Sequence, residues 1–141
     1  MTEWREDGHD ELGLDQRRWP MTPTDLLPRE NWLWWQQLWS DVLMLGERYR
    51  VRPGKDWWED GMQVEALAAL AAWIERYDCG EWDDPPGKLA LLYDLEHVRE
   101  LIRGAEPFHP ERDRGAYVLF LIDAGCQAPP GSDPGAPPRR R

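Results

Sequence analysis

Long apolar runs are missing from this chain: no stretch of about 18 consecutive apolar side chains occurs, which excludes a membrane-spanning helix. Lysine is scarce as well, since Lys55 and Lys88 are the only lysines and the rest of the 17 basic residues are arginine. Ser40 and Ser132 are the only serines, and neither sits in a Gly-x-Ser-x-Gly elbow. No glycine-rich loop has the spacing that cradles a phosphate. The two cysteines, Cys79 and Cys126, and the three histidines, His9, His97 and His109, are scattered without Cys-x-x-Cys or His-Glu-x-x-His spacing. Neither a zinc site nor a cofactor is therefore expected. Cys79 is predicted to close a helix rather than open one, where a thiolate would be stabilised. His97, beside Glu96, reads as a surface or boundary residue. The first 18 residues are acidic and lack the apolar stretch of a secretory leader. Reduced thiols and a cytoplasmic location are the corresponding expectations.

Carboxylates, by contrast, abound. Pairs such as Glu59-Asp60 and Asp83-Asp84 occur in any acidic chain, and acid–base chemistry needs a cleft and shifted pKa values besides. The expectation is a protein that is not an enzyme. The net charge is −10 over 141 residues. Acids outnumber bases in 1–30, 31–78 and 79–125 alike, and only 126–141 reverses this, with Asp133 against Arg139, Arg140 and Arg141. Such a surface repels a nucleic-acid duplex and an anionic membrane. It suits a basic protein partner.

The ten tryptophans stand out in a chain that is otherwise ordinary, 41% hydrophobic and 31% charged. Each buried indole removes on the order of 200 Å² from water, so a few of them supply much of a small core. The length suits one domain. Abundant Arg, Ala, Gly, Pro and Trp look like a high-GC coding bias, as in actinobacteria.

The pattern predicts an all-α fold, a compact bundle of about four helices over 22–126. A mobile acidic arm over 1–21 precedes it, in which Trp4, Leu12, Leu14 and Trp19 are able to dock on the domain. A disordered Pro/Gly-rich tail over 127–141 follows. The first helix, about 29–51, carries Trp32, Trp35, Trp39, Val42, Gly46 and Tyr49 in one stripe, widened by Trp34, Leu38 and Leu45. With so little polar face it should be central, and Pro53-Gly54 should end it. The second, about 62–78, aligns Leu67, Leu70, Ile74 and Tyr77, with Ala66 and Trp73 beside them. The third, about 88–103, aligns Leu91, Leu92, Leu95, Val98 and Ile102. The fourth, about 111–124, has Val118, Leu121 and Ile122, with Tyr117 and Phe120. The apolar block 117–122 also fits a buried strand, but nothing else in the chain offers it a partner strand.

Trp57, Trp58 and Trp82 fall outside these stripes. Two readings stand side by side: they fold back as lids on the core, or they form an aromatic surface with an acidic rim. Tryptophan is the residue most enriched at binding hot spots. The predicted partner-binding set is Trp57, Trp58, Trp82, Glu59, Asp60, Asp83 and Asp84, with Trp57 structural and Trp58 and Trp82 at least partly exposed. A competing site is the basic and aromatic segment 48–58. There Arg48, Arg50, Arg52 and Lys55 would meet phosphates and the indoles would stack bases. The same arginines also suit a solvated helix end, where they complement the dipole.

The succession Tyr49-Arg50, Trp57-Trp58, Val64-Glu65-Ala66-Leu67 with Leu70 and Trp73, then Pro107-Phe108 resembles small proteins of actinobacterial plasmids and integrative elements. The likeness covers roughly 31–108; this chain adds an apolar helix after His109. The resemblance implies a mobile-element accessory protein with no known chemistry. The functional expectation is a non-catalytic protein-binding module, accessory or inhibitory in a mobile element or phage, with charge mimicry of nucleic acid as one form. The alternatives are a nucleic-acid-associated protein using 48–58 and a small enzyme with an unrecognised carboxylate site.

Overall fold

Proline and acidic caps decide where the helices begin. The structure, a computed structural model, describes residues 28–103 and 106–138. The predicted arm over 1–21 and the first residues of the predicted domain lie outside the described residues. Among the described residues, helices α1 (Pro28–Tyr49), α2 (Gly61–Asp78), α3 (Pro85–Leu101) and α4 (Pro110–Asp123) are joined by short connections, with one 3-10 turn at Trp57–Glu59. The block 117–122 is helical, within α4. Among the described residues β-pairing is limited to one isolated antiparallel bridge, Gly54 to Pro107.

α1 stops two residues before the predicted end. Arg50 takes a left-handed φ of 60°, and the Val51 amide donates back to the Leu45 carbonyl at 3.1 Å. Pro53 and Gly54 therefore belong to the connection and do not end the helix. α3 starts three residues earlier than predicted. Pro85 and Pro86 occupy its first turn, where a missing N–H costs nothing. Asp84 caps it, accepting from the Gly87 amide at 2.8 Å. Asp60 caps α2 in the same way, accepting from the amides of Met62 at 3.0 Å and Gln63 at 3.4 Å.

α1 packs against α2 and α4, while α2 also carries α3 and the 3-10 turn. The pairing of Arg48 with Asp78, two hydrogen bonds of 2.6 and 2.9 Å, clasps the ends of α1 and α2 together. At the centre lies a cluster of aromatic rings from α1, the 3-10 turn, the 107–108 loop and α4. The Tyr117 ring lies 4.6 Å from Trp39, 5.3 Å from Trp58 and 5.6 Å from Trp57, centroid to centroid. Phe108 meets Trp39 edge-on at 5.2 Å. Such pairs add about 0.5–1.5 kcal/mol each beyond the area they bury. The Tyr117 hydroxyl donates to the Trp35 carbonyl.

The tail is predicted to be disordered; its described part, 127–138, has no helix but is fastened to the domain. The Gln127 amide donates to the Pro28 carbonyl at 3.0 Å. Ala128 packs against the core. Arg114 donates to the carbonyls of Gly135 and Ala136.

Candidate functional site

The predicted site residues divide at once. Trp57 and Trp58 are both core residues, the first fully buried and the second 3% exposed. The expectation that Trp58 is partly exposed is corrected. Its ring is held by Tyr117 and by Phe108 at 6.2 Å, because the 3-10 turn folds both neighbouring indoles inward. For Trp57 and Trp58 the lid reading holds. Trp82 differs: it is 40% exposed, edge-on to Tyr77 at 5.8 Å, with the Arg76 guanidinium over its ring at 5.2 Å.

The four acids are all exposed, but they do not form one rim. Glu59 and Asp60 precede α2, whereas Trp82, Asp83 and Asp84 follow it. α2 has 18 residues, so about 27 Å of helix separates the two loops. In each pair one acid serves as a helix cap, Asp60 for α2 and Asp84 for α3. Asp84 also accepts from the Tyr77 hydroxyl at 3.1 Å. The hydrogen bond from Gln63 and the amides it caps hold the Asp60 carboxyl below its usual range. The predicted surface is thus split, and Trp57, Trp58 and Asp60 in one half of it are structural.

What remains with Trp82 is a face that sequence reasoning did not single out. α3 buries Leu91 and Leu95, and Val98 and Ile102 continue that side. Leu92 was assigned to the same stripe, but it lies about 100° around the helix from Leu91 and is exposed. Together with Leu89 and Tyr93 it forms an i, i+3, i+4 group on the opposite side. Tyr93 is 68% exposed. α3 and the loop before it carry Glu81, Asp83, Asp84, Asp94, Glu96 and Glu100, all exposed, against Lys88 and Arg99, with Arg76 and Arg103 reaching two of these acids. Four of these acids are engaged: Arg76 meets Glu81 at 2.7 Å, Arg99 meets Glu96, Arg103 meets Glu100 at 2.8 Å, and Asp84 caps α3. The signal that could have found the face was present: apolar residues spaced by three and four, out of phase with the buried stripe.

The basic segment 48–58 does not assemble a binding site of the kind predicted for nucleic acid. Its indoles are in the core, Arg48 is bound to Asp78, and Lys55 lies 4.0 Å from Glu106. Cys79 is exposed and Cys126 buried, both as free thiols, and burial pushes the Cys126 thiol up. Among the described residues no group of three His, Cys, Asp or Glu side chains is placed to hold a metal ion. No helix among them is long and apolar enough to cross a membrane. Comparison with protein-family models, with curated proteins and with solved structures finds no match to this chain.

Proposed function

We propose that the protein is a binding module that docks a basic amphipathic helix of a partner protein on the outer face of α3, without chemistry of its own. The observation that carries this reading is the exposed group Leu89, Leu92 and Tyr93, set among acids and preceded by the half-exposed Trp82. Apolar residues at i, i+3 and i+4 match the anchor spacing of a second helix laid alongside. The surrounding carboxylates steer a basic partner and disfavour a second copy of this acidic chain. An accessory or inhibitory role in a mobile element, implied by the sequence resemblance, is compatible with such a module. Binding of nucleic acid through 48–58 has less support, because the rings that would stack bases are inside the core.

The test compares the wild-type protein with the double variant Leu92→Asp/Tyr93→Asp as baits in host lysate. A partner of the proposed kind is retained by the wild type, lost by the variant, and released at about 0.5 M salt, where screening acts within a few ångströms. If both baits retain the same proteins, or if the wild type self-associates through this face in sedimentation, the reading fails.

A further inference from the structure

α4 turns a cation inward. Arg114 is only 8% exposed, and its guanidinium lies 4.9 Å from the ring centroid of Trp39 and 5.8 Å from that of Tyr117. Its Nη2 donates to Gln36 Oε1 at 2.8 Å and to the Ala136 carbonyl at 2.8 Å, and its Nε donates to the Gly135 carbonyl at 3.4 Å. These acceptors are neutral. Arginine does not shed its proton in proteins, and a buried guanidinium is ordinarily matched by an anion with a planar pair of oxygens.

Two donors are left over. Arg114 Nη1 and Gln36 Nε2 have no hydrogen-bond partner among the described residues, and Gln36, like Arg114, is 8% exposed. Nη1 shares its carbon with Nη2, and Nε2 shares its carbon with Oε1. The unused N–H groups therefore belong to the same two planar groups that the 2.8 Å bond joins. Leaving buried donors unpaired is costly, and both call for an acceptor.

The cover over this cluster is slight. Residues 133–136 form a turn in which the Gly135 amide donates to Asp133 Oδ1 at 3.0 Å and the Ala136 amide to the Asp133 carbonyl at 3.0 Å. The turn presents the two carbonyls that Arg114 holds. It lies in an exposed segment without helix or strand, the kind of segment that opens locally at low cost.

We infer that Arg114 and Gln36 form a binding site for a carboxylate, and that residues 133–136 are its removable cover. A carboxylate fits better than phosphate, because two buried donors beside aromatic faces suit two oxygens and one charge. The carboxylate belongs either to a small organic acid or to a peptide chain end.

The experiment follows the Arg114 Nε–H and Gln36 side-chain amide signals of the full chain by NMR. Four additions are compared: sodium acetate, the tripeptide Gly-Ala-Pro with a free carboxylate, the same tripeptide amidated, and sodium chloride. Saturable shifts with acetate or the acid tripeptide, at a Kd of about 1 mM or tighter, are expected, without saturation by amide or chloride. Saturation by acetate points to a small acid, and saturation by the tripeptide alone points to a chain end. Gln36→Glu places a carboxylate beside Arg114 permanently. It should raise the melting temperature and weaken the response about tenfold or more. Asp133→Ala should loosen the cover and tighten the apparent affinity. The inference is overturned if wild-type shifts do not saturate, if the amide binds as well as the acid, or if Gln36→Glu responds undiminished. The acid-versus-amide comparison decides even if that variant does not fold.

Discussion

Tyr117 places a polar atom among the central rings, and burial pushes its phenol well above the usual tyrosine range. The protonated hydroxyl donates to Trp35. A folded-state pKa above the unfolded one means that the native state holds the proton more tightly. Its stabilisation is fully present below the unfolded value of about 10 and is lost as pH rises beyond it. Tyr117→Phe should therefore cost about 1 kcal/mol at pH 7, and the gap to the wild type should close above about pH 10. Denaturant unfolding at several pH values measures this. The tryptophans separate by a simpler test. Trp58→Ala should cost about 3–5 kcal/mol, since it empties a filled core position. Trp82→Ala should cost less than about 1 kcal/mol, since its ring is half in water and touches one aromatic neighbour. Thermal unfolding of both variants checks the contrast. The stripe of α1 was legible because helical spacing fixes which tryptophans share a face. Trp58 was not, because its burial depends on Asp56 at a φ of 60° and a 3-10 turn, and no periodicity encodes that.

At the level of elements, the two sides of α3 should respond oppositely. Leu91→Ala removes a fully buried side chain and should cost about 2–5 kcal/mol. Leu92→Asp/Tyr93→Asp should leave stability within about 0.5 kcal/mol per substitution. Equal losses on both sides would mean that the outer face is covered. Gly87→Ala should fray the start of α3, because the added Cβ would fall on the Asp84 carboxylate and the Tyr77 hydroxyl. Faster amide exchange over the first turn would report it. α4 is set by Asp113, whose carboxylate accepts from Arg112 at 2.7 and 2.9 Å and from the His109 amide at 3.0 Å. The Arg112 hydrogen bonds above all hold this carboxyl below the usual range. Its stabilisation is therefore present above about pH 4 and is lost as pH falls through the depressed folded value. Asp113→Asn should cost about 1–2 kcal/mol at pH 7, with the difference vanishing in acid. The four described helices were legible from apolar period and breakers, to within three residues at each boundary. Their phases were less so: Leu91 with Leu92, and Leu121 with Ile122, are neighbours that a broad apolar pattern assigns to one face. The structure buries the first of each pair and exposes the second.

For the whole molecule the governing quantity is the net charge of −10, which was fully legible, whereas its division between structural caps and the face proposed for binding was not. Asp60 and Asp84 show why: an acid before a helix looks the same in sequence whether it caps that helix or waits for a partner. Two consequences of the charge have opposite signs. Excess negative charge repels itself in the compact state, and salt screens it, the Debye length falling from about 30 Å at 0.01 M to about 3 Å at 1 M. The same screening weakens ion pairs such as Arg48–Asp78 and Arg103–Glu100, which are largely exposed and worth at most about 1 kcal/mol each. Those pairs are local, while the repulsion is summed over the surface, so repulsion should dominate. The melting temperature should rise as sodium chloride goes from about 0.01 to 0.5 M; sulfate is avoided because its exclusion stabilises any protein. Over the same range the affinity for a basic partner on the α3 face should fall, because the attraction that speeds encounter is screened as well. Calorimetric melting and binding titrations along one salt series measure both. If affinity is flat while the melting temperature climbs, the acids around Leu89, Leu92 and Tyr93 serve solubility alone, and the partner is not basic.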